Sequence, residues 1–472
     1  MAQSAVTHFT ERRVEELSSR LREPDWLVEY RLDALRKFLS LPPEPSSLYS
    51  KYAGVSMFDP EQFSVADLDE KVDLRTHYQG YLTGKETNIV LQGNSTVLHV
   101  DLADDFARSG VEVMSLQDAV SKHGKLLQDL FSRRIVDYTR EKYAAFNAAF
   151  FTSGTFVRVP RNSVPPSALR KILLIRDPRA GVVERTIVYA EEGSKLDYVE
   201  ELYTGSSKGQ YLASTALEVF AGDGAKVHVS SLQSLDENAI YLSNATTSAA
   251  NDAKVTFAAI LLGARIIRVR LDLRLDGRGS SIDGYQVFFC DGKQRCDVES
   301  NLLHNSPHST ASLSARAVLK DEAQSIFKGM IKISQVAKNS SSYLSFHGML
   351  LDPRARSDDI PSLDIQTNEV KATHSASVAQ IDEDQIFYLM ARGLPRDEAR
   401  KLIVIGFFEP VLSRIPVEIA REGAKFIVEG KWNGERRRLV DRETLMALTG
   451  EVPIEAKQGG DIFERHYKYS RS

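Results

Sequence analysis

Arg185–Tyr203 reads RTIVYAEEGSKLDYVEELY, Val219–Leu235 reads VFAGDGAKVHVSSLQSL, and Asn251–Leu273 reads NDAKVTFAAILLGARIIRVRLDL. In each, short runs rich in Val, Ile, Leu and Thr are broken by Gly, Asp, Ser or Asn, the pattern of strands and turns. Related turns recur at Gly193-Ser194-Lys195-Leu196, Gly224-Ala225-Lys226-Val227 and Asp252-Ala253-Lys254-Val255, then at Leu275–Gly279 and Cys290–Lys293. Lys195 and Lys226 are 31 residues apart, and Lys226 and Lys254 are 28 apart. That is the length of one coil of a stacked β-solenoid. One coil cannot bury its apolar face alone, so several must stack. A β-sandwich competes, but it calls for more two-residue hairpin turns than this sequence holds. The fold expected is mainly β, with a β-solenoid at its centre.

Outward from this stretch the chain divides into zones. Residues 1–150 read as mostly helical: Trp26, Leu27, Tyr30, Ala34, Leu35, Phe38 and Leu39 recur at helical spacing after Pro24-Asp25, and Leu41-Pro42-Pro43 stops the run. Helical periodicity returns from about Val113 to Phe151. The β zone spans 151–378, and 379–430 turns helical again. There Asp382 is placed to cap EDQIFYLMAR, Gly393 to end it, and Pro395 to open RDEARKLIVIGFFEPVL. Residues 431–472 form an extension charged in both signs.

The 472 residues suit about three domains, or one elongated domain with appendages. With 42% hydrophobic and 26% charged residues the composition is that of a folded chain, not a disordered or fibrous one. Sixty basic against 64 acidic side chains leave a net charge of −4, so there is no global field for nucleic acid or an anionic membrane. No run of about 18 apolar residues exists to span a bilayer, and MAQSAVTHFTERRVEEL lacks the apolar core of an export signal. A cytoplasmic chain is expected. Its two cysteines, Cys290 and Cys296, exclude a disulfide scaffold and a four-thiolate cluster within one chain. They are expected to be reduced, as small side chains in or near a strand pair.

Motifs of catalysis are missing. There is no GxSxG elbow and no HExxH. Gly80–Glu86, GYLTGKE, is one residue short of a phosphate loop and has Glu where Ser or Thr would bind magnesium. Asp358 and Asp359 are adjacent acids of the kind a solenoid carbohydrate-active enzyme would need, but before Pro361 they read as a solvated turn. Four of the ten histidines fall late, His304, His308, His347 and His374. Pro307 prevents His304 and His308 from forming a helical ligand pair.

Four stretches carry a family resemblance: Glu23–Pro42 (EPDWLVEYRLDALRKFLSLP), Tyr143–Pro160 (YAAFNAAFFTSGTFVRVP), Ile326–Ser342 (IFKGMIKISQVAKNSSS) and Val370–Phe408 (VKATHSASVAQIDEDQIFYLMARGLPRDEARKLIVIGFF). Together, and in this order, they resemble the SufB/SufD family of iron–sulfur cluster assembly proteins. The resemblance implies a right-handed parallel β-helix between helical regions, in a cytosolic complex with the SufC ATPase. The SufB branch has a cysteine before a Met-Leu-Ile-like strand, where this chain has Phe346 before Met349-Leu350-Leu351. It has Glu-His-Glu where this chain has Thr373-His374-Ser375. Gly348–Ile365 followed by VKATHSAS is similar to the SufD branch.

The resemblance therefore implies a non-enzymatic SufD-like subunit. It would partner a SufB-type scaffold, or a second copy of itself, together with a SufC-type ATPase that performs the hydrolysis. No cofactor is expected to stay on this chain alone, and iron or a cluster passes transiently through the complex. His374 is the expected metal ligand, shared with a partner, with His347 behind it. ATPase docking is expected on Leu394, Arg396, Arg400, Leu402, Ile405, Phe407 and Phe408, with Asp397 and Lys401 on the rim. A β-solenoid carbohydrate-active enzyme and an interaction scaffold without metal chemistry are the alternatives.

Overall fold

The computed structural model of the chain describes residues 9–43, 64–65, 88–94, 96–176, 180–204, 210–415 and 418–434. Two ten-stranded sheets face each other, their strands alternating along the chain, so that each coil contributes one strand to each sheet. The pairing between successive coils is parallel throughout. This is a β-solenoid of about seven turns.

The lysines that mark the repeat in the sequence lie directly on top of one another. Lys195 pairs with Lys226 and Lys226 with Lys254, and the same column continues through Ser281, Thr310, Ser341 and Lys371 at steps of 27 to 31 residues. Two residues before six of these positions the backbone is left-handed, at Gly193, Gly224, Asp252, Gly279, His308 and Asn339 (φ 54° to 69°). Glycine takes that conformation without penalty, and Asn, Asp and His are the side chains that tolerate it best. The corner of the coil thus dictates the punctuation seen in the sequence. His308 is one of these corner residues.

Three cores follow from two sheets with two faces each. The lumen is filled mainly by inward-facing aliphatic and aromatic side chains, from Val157 and Leu173 to Phe346. The outer face of the first sheet packs against the N-terminal helices, Glu11–Leu21, Asp25–Ser40 and Lys142–Phe150. The outer face of the second sheet packs against the C-terminal helices, Glu383–Met390, Arg396–Leu412 and Glu418–Trp432. The helix Lys142–Phe150 is buried from Tyr143 onward, which its AAFNAAF sequence permits on every side. Buried Arg31 is held by both Glu23 carboxylate oxygens (2.7 and 2.6 Å) and by the Ala149 carbonyl (3.1 Å), and it lies over the Phe151 ring.

Within the first 150 residues, four described strands belong to the solenoid's sheets, the two-residue Ser64–Val65 pairing parallel with Ala180–Ala190. Thr96–Asp101 pairs antiparallel with Ile89–Gly93, and Glu112–Ser115 pairs antiparallel with Thr155–Val159, so antiparallel strands close the first coil on both sheets. The Val113–Phe151 stretch is therefore a short strand followed by the helices Leu116–Lys122, Gly124–Ser132 and Lys142–Phe150. The phosphate-loop-like segment Gly80–Glu86 lies outside the described residues, as does the extension from residue 435.

The cysteines need correction. Cys290 ends one strand and Cys296 is the second residue of the next. Both are fully buried in the lumen, and they are joined to each other as a disulfide. The turn between them folds the coil back on itself, which brings two inward-facing positions together. The expectation of two separate reduced thiols does not hold.

Candidate functional site

The two ends of the solenoid differ. At the far end the strands Arg356–Ile365 and Val370–Gln380 are the last of their sheets, and among the described residues no further strand pairs with either. Register fixes which side chains face the lumen there. Phe327 pairs with Asp359 and Gly329 with Pro361 on one sheet; Leu344 pairs with His374 and Phe346 with Ala376 on the other. Leu344, Phe327 and Phe346 are buried, and the two phenylalanines stack at 4.7 Å between ring centres. They form an apolar floor beneath the terminal coil. Above it Leu363, Ile365 and Val378 are partly exposed, and so is His374.

Asp358 and Asp359 lie in a strand, which corrects their reading as a solvated turn. Asp358 faces outward and is paired with Arg356 (2.8 and 3.0 Å). Asp359 faces inward, and both its carboxylate oxygens are buried without a hydrogen-bond partner. Burial pushes its carboxyl up to about 6, against a weaker opposing pull from the Ile360 backbone amide. Strand alternation counted back from Ile365 through Leu363 and Pro361 is the signal that assigns it to the lumen.

The other late histidines have structural partners. His304 is buried between Ser309 Oγ (2.7 Å) and Ser342 Oγ (3.0 Å), and burial lowers its pKa to about 4. His347 points to the outside of the second sheet, against Ser377 Oγ (2.8 Å); desolvation and the nearby Arg316 lower its pKa. Among the described residues no group of three or more His, Cys, Asp or Glu is arranged to hold a metal ion.

The C-terminal helices distribute the expected docking residues over both of their faces. Phe408 is fully buried against Phe289 and belongs to the core, which removes it from any docking surface. Phe407 is half-buried, and its carbonyl accepts from Arg316. Arg400 is turned inward to the Leu351 carbonyl (2.8 Å), so it joins the helices to the solenoid instead of forming a rim. Leu394 and Ile405 are partly buried, and Arg396 pairs with Glu383 at the surface (2.7 Å). Leu402 is exposed. The most exposed apolar side chains were missed: Phe387 is 72% and Tyr388 56% accessible, with Met390 beside them. The apolar run IFYLM could have revealed them, because Ile386 is the only buried residue of that eight-residue helix.

A family model described as the SUF system FeS cluster assembly SufBD core domain matches residues 173–407. Iron–sulfur cluster assembly SufBD family proteins of Staphylococcus haemolyticus and Staphylococcus aureus are each 26% identical to this chain over 443 residues, covering 89% of it and 93% of their own length. One from Staphylococcus saprophyticus shows the same identity over 439 residues. The chain belongs to the SufBD family. The matched SufBD core runs from the solenoid strand Leu169–Ile175 into the helix Arg396–Leu412, so it contains the open end and the first part of the C-terminal helical layer, but not Glu418–Trp432. Among the described residues, no helix of this SufBD protein is long and apolar enough to cross a membrane.

Proposed function

We propose that this chain is a non-enzymatic, SufD-like subunit of a Suf cluster-assembly complex, and that its open solenoid end is where it meets a SufB-type scaffold or a second copy of itself. The observation that carries the reading is the terminal coil, with two strand edges that are unpaired among the described residues, a phenylalanine-lined floor and exposed His374 above it. Unpaired edges and apolar side chains at one place favour pairing with another chain. The SufD-like assignment is supported by the thiol inventory. Both cysteines are tied to each other in the lumen, so neither is available at the open end to accept sulfur as a persulfide.

His374 lends one imidazole to iron or a nascent cluster, while thiolate and carboxylate ligands come from the facing subunit. A lone imidazole leaves most of the coordination demand of iron unmet, which is why the role belongs to the assembly. The SufC-type ATPase docks on the exposed side of the C-terminal helices, with Phe387, Tyr388, Met390 and Leu402 as its apolar contacts. Interfaces concentrate their energy in a few such anchors.

The experiment is purification of the tagged chain from its native host, followed by cluster reconstitution on whatever complex is recovered. Recovery of an ABC-type ATPase together with a second SufBD chain is the expected result. Recovery of neither overturns the reading. A complex that binds no iron and matures no client favours an interaction scaffold without metal chemistry.

A further inference from the structure

Buried Lys431, on the helix Glu418–Trp432, meets the solenoid through acceptors that mostly come from one turn. The Phe289 carbonyl and Gln294 Oε1 (2.7 Å) accept from its ammonium, and Asp291 Oδ1 lies 3.3 Å away; the Leu262 carbonyl (2.7 Å) of the preceding coil adds to them. That turn is the segment spanned by the Cys290–Cys296 disulfide. Inside it the Asp291 amide donates to Gln294 Oε1 (2.8 Å), and the Gln294 amide donates to the Asp291 carbonyl (3.1 Å). A coil corner does not require cysteine. The place of Cys290 is taken by Leu319 in the next coil, and that of Cys296 by Ile267 and Ser325 in the coils on either side. The chain has two cysteines, and they close the corner that seats Lys431. Both sulfurs face the lumen, but the other side of the turn is open to solvent. Asp291, Gly292, Lys293 and Gln294 line a cavity of about 530 Å³, and Lys293 is exposed.

We propose that the Cys290–Cys296 disulfide is a redox switch on the joint between the solenoid and the C-terminal helices. Oxidised, it fixes the turn that seats Lys431 and so holds the helix Glu418–Trp432 against the coils. Reduced, it frees the turn, and the helix opens locally from the solenoid. A buried ammonium depends on its acceptors, because an unmatched charge away from water is costly. Loosening the turn therefore acts on the helix through Lys431. The reductant is a dithiol. Its thiolate attacks one sulfur as the turn opens, and the other cysteine leaves as a thiolate and takes a proton. The second thiol of the reductant then displaces the first cysteine from the mixed disulfide, and that cysteine is protonated in turn. Two electrons and two protons pass to the cysteines, and the reductant ends as a disulfide. Local openings of this kind cost less than global unfolding, so the coils keep their pairing.

The test is amide exchange read by mass spectrometry on the full chain, purified without reductant and compared before and after treatment with dithiothreitol. Alkylation after quenching counts the free thiols. Wild type, Cys290→Ala with Cys296→Ala, and Lys431→Met are measured side by side. Untreated wild type is expected to show no free thiol, and the treated protein two. Exchange in Glu418–Trp432 should become at least tenfold faster in reduced wild type and in the double alanine variant, with the strand Leu169–Ile175 unchanged. In Lys431→Met that helix should exchange fast in both redox states, since the link to the turn is already cut. Two free thiols in the untreated protein overturn the proposal, as do thiols that dithiothreitol releases only after unfolding. Equal exchange in the two states overturns it too, and so does a change confined to Asp291–Arg295. A redox response in Lys431→Met as large as in wild type shows that the turn does not act through the lysine. Should the double alanine variant fail to fold, the treated wild type decides alone.

Discussion

Glu184 faces the lumen in the first coils, and its carboxylate accepts from Lys171 Nζ (2.6 Å) and Thr186 Oγ1 (3.1 Å). The same ammonium lies 3.3 Å from Glu200. One buried lysine thus serves two buried glutamates, and desolvation raises the Glu184 pKa to about 7. In the unfolded chain the group releases its proton near 4.5, so between pH 4.5 and 7 the folded chain holds a proton that the unfolded chain does not. Folding stability therefore falls as pH rises through that window. Glu184→Gln removes this dependence: relative to wild type, its melting temperature should climb between pH 5 and 7.5, toward a gain of about 3 kcal/mol if the whole shift is recovered. A pH-independent difference between the two proteins would show that Glu184 is ionised throughout. His374 makes the opposite kind of case, being exposed. His374→Ala should change stability by less than about 0.5 kcal/mol. It should nevertheless slow client maturation by the complex, measured as aconitase activation in a reconstituted assay, and a normal maturation rate would make the histidine structural.

At the scale of elements, legibility in the sequence tracked physical constraint. The coil corners were legible because left-handed backbone restricts them to Gly, Asn, Asp or His, so the repeat reached the sequence through Gly193, Gly224 and Asp252. The cap of the helix Glu383–Met390 was legible for a similar reason, since the Asp382 side chain accepts from the Asp384 and Gln385 amides. The strands closing the first coil, Thr96–Asp101 and Glu112–Ser115, were not legible, because each occurs once and repeats nothing. Arg356–Ile365 was missed because Asp358, Asp359 and Pro361 are turn formers inside an edge strand, the one place where a strand tolerates proline. The candidate site was half legible for that reason: His374 came from a motif, and Asp359 needed the register. On the C-terminal helices, sequence alone could not separate the side packed on the solenoid from the side facing solvent. The outward side is now defined, so Phe387→Ala with Tyr388→Ala should weaken ATPase binding at least tenfold in calorimetry without lowering the melting temperature. Arg400→Glu is expected to destabilise the chain instead, because it breaks the contact with the Leu351 carbonyl.

The described residues form a stack of coils between two helical layers, and the attachment of the C-terminal layer can be named. Lys431, buried on the last helix, donates to the Leu262 and Phe289 carbonyls and to Gln294 Oε1, with Asp291 3.3 Å away. One ammonium therefore ties the helices to two successive coils. Lys431→Met should orphan these acceptors and cost roughly 2 to 4 kcal/mol, seen as faster amide exchange in Glu418–Trp432 than in the coils. A partner pulling on the helices would move the solenoid through this joint, whereas the open end lies apart from it and can pair independently. Of the two terminal strands, Arg356–Ile365 is the poorer pairing edge, since Pro361 has no N–H and Asp359 places a charge inward. Val370–Gln380 (VKATHSASVAQ) has no proline and several small side chains, which leaves its backbone open to a second strand. Pairing of this strand with its own copy is self-complementary and generates a closed two-fold dimer, not an open fibre. Expressed alone, the chain should therefore sediment as a dimer at micromolar concentration. Val378→Lys, at an exposed apolar position of the same strand, should return it to a monomer with an unchanged melting temperature. A wild-type monomer under those conditions would mean that the edge is covered in another way, and the open end would lose its claim to be the pairing surface.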